Sequence, residues 1–214
     1  LTSNKKYIFR KNKKLHHIEQ LNKSFNLNNN IMCVYKSQIE KKEVEENIDI
    51  NSKHVVIFPG GNWEPKIWPA ENYNILLKKL EKNFRNIKFI IVGSNSEKQK
   101  YLTKIQENIP NENFIDLMGK SLTLTSAYME KSNLFIGNDS GLTHLSVASN
   151  LKTISLFGPT DDNCYGHRSN NNFVLRTKES YDYFKQISID KEKSYMHSIK
   201  TDQIIDIIVK NKLL

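Results

Sequence analysis

The residues best suited to chemistry form a polar motif, Asp139-Ser140-Gly141, with His144 one helical turn further on. An apolar segment typical of a buried strand, Leu134–Ile136, precedes this motif, and residues 141–149 are predicted to form a short helix. Backbone amides at a helix N-terminus bind anions, often at the carboxyl edge of a parallel sheet. The motif therefore predicts an anion pocket beside a titratable imidazole. A plain helix cap with a structural histidine is the alternative interpretation.

Two further polar turns follow predicted strands. Gly61 and Asn62 come just after the apolar strand Val55–Phe58, and Lys66 follows shortly before a predicted helix. Asn95 lies in the turn after the next predicted strand. Because parallel strands end at one edge of a sheet, these turns are expected to converge with the first motif. Lys66 then offers a cation for a diphosphate, and Asn95 a hydrogen bond for a nucleoside. Taken alone, Lys66 is more often a solvated lysine in a turn, and the polar turn at Asn95 is of a common kind.

A fourth turn follows the predicted strand Thr153–Phe157 and contains Thr160, a candidate phosphate contact. The adjacent acids Asp161 and Asp162 are expected to be solvated, because no second carboxylate cluster has the spacing of metal ligands. The six histidines show no zinc-site spacing either. The sequence therefore predicts neither a metal ion nor another cofactor.

Strand and helix patterns alternate with short connections from residue 54 onward, which indicates an α/β fold. We predict a Rossmann-like parallel sheet with helices on both faces over residues 54–214. Residues 1–53 lack this alternation apart from a helix at His16–Phe25, and we interpret them as an interdomain connection or the remnant of another domain. Residues 160–176 are predicted to be irregular, and Thr201 is predicted to cap a final helix.

The composition excludes several classes of protein. The chain has 214 residues and a net charge of +9, and it contains no apolar run of the roughly 20 residues that a membrane span requires. No signal peptide opens it. Cys33 and Cys164 show no partner spacing, so free thiols in a reducing compartment are expected. These features predict a cytoplasmic protein.

The positive charge is densest at the N-terminus, where the first 23 residues contain seven Lys or Arg and one Glu. Basic arms of this kind bind nucleic acid or anionic lipid. No aromatic-and-glycine RNA-binding signature or zinc-finger spacing accompanies the charge, so no nucleic-acid partner is predicted. A solvated face is favoured, with peripheral contact to anionic lipid at the cytoplasmic face of a membrane as the further expectation.

The motifs, in their order along the chain, resemble those of glycosyltransferase family 9, the heptosyltransferases of lipopolysaccharide core assembly. The resemblance covers about residues 54–214. It rests on a strand-loop with a Lys-x-Trp-Pro element, an L-x-G-K-[ST]-L step, a D-[ST]-G-x-x-H signature and a closing F-G-P-T. These correspond to Phe58–Gly61 with Lys66–Pro69, Leu117–Leu122, Asp139–His144 and Phe157–Thr160.

The resemblance implies a GT-B fold, in which two Rossmann-like domains face each other across a cleft. It implies that this chain is the C-terminal, donor-binding half and that the N-terminal domain, which carries the general base, is largely absent. A chain that begins with Leu1 is accordingly expected to be a fragment or a processed product. The isolated chain is then expected to bind donor without transferring sugar.

The resemblance also implies roles for individual residues in a metal-independent, inverting reaction. The donor is a nucleotide-diphospho-sugar, commonly ADP-heptose, and the acceptor is a glycolipid or lipopolysaccharide core. The implied catalytic residues are Lys66, Asp139 and His144, and the implied donor contacts are Gly61, Asn62, Lys66, Asn95, Asp139, Ser140, Gly141, His144 and Thr160. The acidic residue that some members place after the second strand falls near Asn95.

Two other readings of the sequence stay open. One is a non-catalytic nucleotide-sugar-binding module. The other is a GT-B transferase linked to helical repeats, or a sugar-nucleotide epimerase, with a different acceptor. The coding sequence upstream of Leu1 would distinguish them, because a second Rossmann-like half with an early Gly-rich turn and Asp favours the transferase.

Overall fold

The computed structural model describes residues 15–25 and 34–214, and within them one sheet of six parallel strands organises the chain. The strands run in the order β3-β2-β1-β4-β5-β6. This order reverses direction between β1 and β4, the topological switch point at which doubly wound sheets bind ligands. The strands are β1 (Lys53–Phe58), β2 (Ile87–Ile91), β3 (Phe114–Asp116), β4 (Leu134–Asn138), β5 (Thr153–Phe157) and β6 (Asn172–Arg176).

Helices cover both faces of this sheet, and the alternation of side chains along β1 explains why. Val55 and Ile57 pack into one core cluster, whereas Val56 and Phe58 pack into another on the opposite face. A strand buried on both faces is therefore apolar throughout. The helices are α1 (His17–Phe25), α2 (Gln38–Asn47), α3 (Ala70–Asn83), α4 (Asn95–Gln106), α5 (Leu122–Glu130), α6 (Gly141–Ala148), α7 (Asp162–Tyr165), α8 (Tyr181–Gln186) and α9 (Thr201–Lys210). The predicted Rossmann-like α/β architecture is confirmed.

The prediction of an irregular segment after β5 was wrong. This segment contains α7 and the edge strand β6, which pairs in parallel with β5 from Asn172 to Arg176. Every residue of β6 is only half-buried, because the strand has a neighbour on one side alone. Its apolar run, Phe173–Leu175, is three residues long and is flanked by polar residues, so the sequence pattern did not identify it as a strand.

Two helices also differ from the prediction. The capping box of Ser37 and Glu40 begins α2 in a region read as charged and irregular; the Ser37 hydroxyl accepts from the Glu40 N–H at 3.2 Å. Thr201 is the first residue of α9 rather than its cap. Cys33 and most of the basic N-terminal residues lie outside the described residues.

Candidate functional site

A cavity of about 1040 Å³ opens at the switch point, beyond the carboxyl ends of the strands. This volume is at the upper end of the range typical of ligand pockets. Turns after β1, β2, β3 and β4 all contribute to its wall. The lining residues are Phe58, Gly61, Asn62, Lys66, Gly93, Ser94, Asn95, Glu97, Gly119, Lys120, Leu122, Thr125, Ser140, Gly141, Leu142, His144, Leu145 and Ala148. The expected convergence of the turns after β1, β2 and β4 at one edge is therefore observed, with a fourth turn added from β3.

Asn138, at the end of β4, fixes the turn that follows β1. Its carboxamide oxygen accepts from the Trp68 N–H and the Tyr73 hydroxyl, both at 3.1 Å. Its amide nitrogen donates to the carbonyls of Pro59 at 3.1 Å and Gly60 at 2.9 Å. The Trp68 N–H can only donate and the two carbonyls can only accept, so these backbone partners fix the orientation of the amide. One fully buried side chain thus joins the two strands that flank the switch point.

Lys66 ends a 3₁₀ turn, Glu64–Lys66, in the connection between β1 and α3. Its ammonium lies 3.8 Å from the Asp139 carboxylate, and the two side chains are only 13% and 8% exposed. The alternative of a solvated lysine in a turn does not hold for Lys66, because its side chain is largely buried and paired with Asp139. Lys66 lines the cavity. Asp139, which pairs with Lys66, is not among the described residues that line it.

The C-terminal segment holds this 3₁₀ turn from behind. The Ser194 hydroxyl donates to the Ile67 carbonyl at 2.6 Å, and the Tyr195 N–H donates to the Pro65 carbonyl at 3.0 Å. The Trp68 indole N–H donates to the Ile199 carbonyl at 3.1 Å, and the Trp68 side chain is fully buried. Trp68 is therefore a packing anchor that sets the position of Lys66 relative to the sheet.

Glu97 joins the turns after β1 and β2, a role that the sequence interpretation missed. One carboxylate oxygen accepts from the Gly61 N–H at 2.7 Å, and the other accepts from the Ser94 N–H at 2.6 Å. The position at which some family members have an acidic residue is occupied by Asn95 in this chain, and the carboxylate of the turn is that of Glu97, which lines the cavity two positions later. The capping-box pattern of Ser94 and Glu97 was the sequence signal that pointed to it.

Asn95 lines the cavity as the first residue of α4, and its side chain lies against Gly119 in the turn after β3. A Cβ atom at Gly119 would stand 1.9 Å from the Asn95 side-chain oxygen, and the φ angle of Gly119 is +81°. Only glycine satisfies both conditions without strain. Gly119 and Lys120, which carried only the family resemblance at the sequence level, therefore belong to the cavity wall.

The turn after β4 presents the N-terminus of α6 to the cavity. The Ser140 hydroxyl caps the helix by accepting from the Leu142 N–H at 3.2 Å, and Thr143 fixes the turn by donating to the Asn138 carbonyl at 2.6 Å. Ser140, Gly141 and Leu142 all line the cavity. The amides and positive dipole end of this helix thus lie beside Lys66, which makes this end of the cavity suitable for an anion.

His144 forms part of the wall one turn into α6. Its Nδ1 atom is 2.7 Å from Nε2 of His167, a contact between two distant parts of the chain. Burial lowers the pKa of His144, the nearby Asp139 carboxylate opposes this, and His17, His16 and Lys66 reinforce it. The imidazole is therefore a predominantly neutral hydrogen-bonding group at neutral pH.

Thr160 is not among the described residues that line the cavity. Its buried hydroxyl has no hydrogen-bond partner in the described part of the chain. Its loop is tied down by Asp162, which forms ion pairs with Arg168 and Arg176. The expectation that Asp162 is solvated was wrong, because it is 8% exposed and bridges two guanidinium groups. Asp161 caps α7, accepting from the Asn163 N–H at 3.0 Å.

Among residues 15–25 and 34–214, no group of three His, Cys, Asp or Glu side chains is placed to hold a metal ion. The same residues contain no helix of the length and apolarity needed to cross a bilayer. The model of the family described as glycosyltransferase family 9 (heptosyltransferase) matches residues 9–195.

The chain belongs to glycosyltransferase family 9.

Individual relatives agree with this assignment. A lipopolysaccharide heptosyltransferase 1 from Campylobacter coli is 28% identical over 160 residues, which are 74% of this chain and 46% of the relative. A family 9 glycosyltransferase from Veillonella parvula superposes with a TM-score of 0.79 at 20% identity, covering 94% of this chain and 61% of that one. The E. coli heptosyltransferase WaaC, solved with ADP, gives a TM-score of 0.66 at 18% identity over 97% and 60% of the two chains. This family 9 chain thus spans less than two thirds of the length of these relatives.

The cavity of this family 9 chain has two chemically distinct regions. Lys66 and the N-terminus of α6 form a cationic, donor-rich end. Leu122, Leu142 and Leu145 supply apolar surface elsewhere in the wall. A ligand with an anionic centre and a planar apolar group matches this combination.

Proposed function

We propose that this chain forms the donor-binding half of a glycosyltransferase that transfers a heptose from ADP-heptose to a lipopolysaccharide core acceptor, with inversion. The observation that carries the proposal is that Lys66 and the N-terminus of α6 line the same cavity, which lies at the switch point of the sheet. A diphosphate at this end would meet a cation and backbone N–H groups together.

The chemical need for this arrangement comes from the leaving group. When an acceptor hydroxyl attacks the anomeric carbon, the bond to the diphosphate breaks and negative charge accumulates on the departing oxygen. Lys66 is already held in place by Asp139 and by the anchored 3₁₀ turn, so little reorganisation is required during the reaction. In comparable oxyanion sites, the loss of one such donor raises the barrier by about 3–4 kcal/mol.

The apolar region of the cavity suits the nucleoside. Leu122 is 63% exposed although it lines the cavity, so a planar base stacked there would cover apolar surface that otherwise faces water. The Glu97 carboxylate and the Asn95 amide lie in the same wall and offer hydrogen bonds to a ribose. We therefore propose the base beside Leu122 and the diphosphate beside Lys66.

The names of the relatives support the choice of adenine, heptose and lipopolysaccharide. Heptosyltransferase WaaC was solved with ADP and with ADP-2-deoxy-2-fluoro heptose. The Campylobacter coli relative is a lipopolysaccharide heptosyltransferase. The acceptor site and the general base are proposed to lie outside this chain, and the expected cytoplasmic location and membrane contact stay predictions.

Isothermal titration calorimetry of the 214-residue chain tests the proposal. ADP and ADP-heptose are expected to bind more tightly than UDP, GDP or CMP, and Lys66→Ala is expected to weaken both. Lys79→Ala is the matched control, because Lys79 also pairs with a carboxylate, that of Asp202, outside the described cavity wall. Absence of nucleotide binding, or equal affinity in Lys66→Ala, would refute the proposal. Detectable heptose transfer by the purified chain would refute the placement of the base outside it.

A further inference from the structure

Three imidazoles from separate parts of the chain lie close together, and one of them belongs to His144 in the wall of the cavity. His167 is central: its ring centroid is 5.0 Å from that of His144 and 5.1 Å from that of His16. The contact with His144 is a hydrogen bond of 2.7 Å between its Nδ1 and Nε2 of His167. A site residue is thus bonded to a histidine outside the described wall of the cavity.

The orientation of His144 follows from this contact. Its ring lines the donor cavity, whereas His167 lines a separate small cavity with His16 and Arg168. Nδ1 of His144 is therefore occupied by His167, which is not among the described residues that line the larger cavity. Nε2 is the ring nitrogen left for a ligand, and the position of the imidazole hydrogen decides what it offers.

The structure assigns His167 as a positioning residue for His144. We propose that the Nε2–H of His167 donates to Nδ1 of His144 and so keeps the His144 hydrogen on Nε2, where it is presented to an anionic oxygen of the bound donor. The identity of the bound nucleotide sugar rests on the function proposed above. The contact between the two rings does not.

His167 is well suited to this task, because its backbone is held on both sides. A Cβ atom at Gly166 would stand 2.5 Å from the Asp162 carbonyl, so the chain passes very close to α7 at this point. Arg168 is paired with the Asp162 carboxylate and donates to its carbonyl at 2.9 Å. His167 therefore projects from a rigid segment towards α6.

The electrostatics favour a neutral His167. Burial and the neighbouring His144 and His16 lower the pKa of His167 to about 4, so above pH 5 the ring has one N–H and one lone pair. The opposite arrangement, with Nδ1–H of His144 donating to His167, would point a lone pair at the donor oxyanion. The other charged or titratable groups facing His144 are Asp139, Lys66, His16 and His17. Asp139 and Lys66 act on the pKa of His144 in opposite directions. The contact with His167, rather than these charges, therefore sets the tautomer.

Long-range ¹H–¹⁵N NMR of the histidine side chains tests the assignment without a ligand. The chain has six histidines, so His144→Gln and His167→Gln spectra assign the two signals. In the parent chain at pH 7, His144 is expected to show a protonated Nε2 and an unprotonated Nδ1. His167→Phe keeps a ring but removes the N–H group that donates to His144, and this variant is expected to show a mixture of the two His144 tautomers. Unchanged His144 nitrogen shifts in His167→Phe would overturn the proposal.

Calorimetry with ADP provides the second readout. His167→Phe is expected to lose about fivefold in affinity, the equivalent of one ordinary hydrogen bond. His167→Gln retains an N–H donor and is expected to lose less than twofold, which separates hydrogen bonding from ring packing. His197→Phe is the control, since His197 is exposed and outside the described cavity wall. Equal losses of ADP affinity in the Phe and Gln variants would refute the role of the hydrogen bond from position 167. If the parent chain does not bind ADP, the proposed function fails, and the NMR result alone decides the assignment of His167.

Discussion

Asn138→Ala is the substitution whose effect the structure specifies most closely. Among the described residues, the Asn138 side chain makes four hydrogen bonds, and it is fully buried. Each net hydrogen bond contributes about 1 kcal/mol, and a buried group left without a partner costs about 1–3 kcal/mol. The Tyr73 hydroxyl keeps its bond to the Phe58 carbonyl at 3.0 Å, whereas Trp68 loses the acceptor for its N–H. We therefore expect the free energy of unfolding to fall by about 3–5 kcal/mol.

Asn74→Ala is the matched control for this experiment. Asn74 is also buried, and its amide donates to the carbonyls of Ile105 and Glu107, both at 2.8 Å, far from the turns of the cavity. Its loss is expected to cost about 2 kcal/mol. Urea denaturation followed by circular dichroism measures both variants. A parent stability near the middle of the usual range of about 5–15 kcal/mol leaves each of them folded at low denaturant.

The second arm of the experiment is ADP binding. Release of the Pro59–Gly60 carbonyls in Asn138→Ala frees the turn that carries Gly61 and Lys66, so the affinity is expected to fall at least tenfold. Asn74→Ala is expected to bind ADP like the parent. Equal destabilisation by the two substitutions would refute the reasoning about Asn138 as a link between β1 and β4. Parent-like ADP affinity in Asn138→Ala would refute its influence on the cavity.

Three further predictions follow from other contacts. In a complete enzyme, Lys66→Ala should lower the turnover number at least tenfold while the fold is retained, although the melting temperature should fall because the buried Asp139 loses its ion-pair partner; steady-state kinetics showing normal turnover would remove Lys66 from the mechanism. Glu97→Leu leaves the N–H groups of Gly61 and Ser94 without their acceptor and should lower the free energy of unfolding by about 2 kcal/mol; an unchanged urea midpoint would contradict this. Stability should also fall as the pH decreases from 7 to 5, because burial lowers the pKa of several histidines and the unfolded chain then binds more protons. These histidines are His16, His54, His144 and His167. Each such proton contributes a slope of up to about 1.4 kcal/mol per pH unit, and a flat profile in urea titrations would exclude the effect.

The sequence was sufficient to predict the central part of the fold. The strands β1, β2, β4 and β5 are buried on both faces, so most residues of each are apolar and the local pattern reveals them. The glycine-containing turns after them were also recognisable, because a tight turn restricts the residue types it accepts. Edge strand β6 was not predicted, because its apolar run of three residues is flanked by polar residues and lies in a segment without the regular strand–helix alternation.

The functional groups of the cavity could therefore be recognised from local sequence. They are a lysine before α3, a turn of small residues before α6 and a histidine one turn into that helix. Only the tertiary structure decided which atoms these groups contact. Lys66 is paired with Asp139, Glu97 binds the amide of Gly61, and His144 is bonded to His167. Each contact joins residues at least 23 positions apart, and each depends on the order of strands in the sheet and on packing around it. Such pairings leave no periodic trace in one sequence, because a distant partner constrains the type of a residue without constraining its spacing.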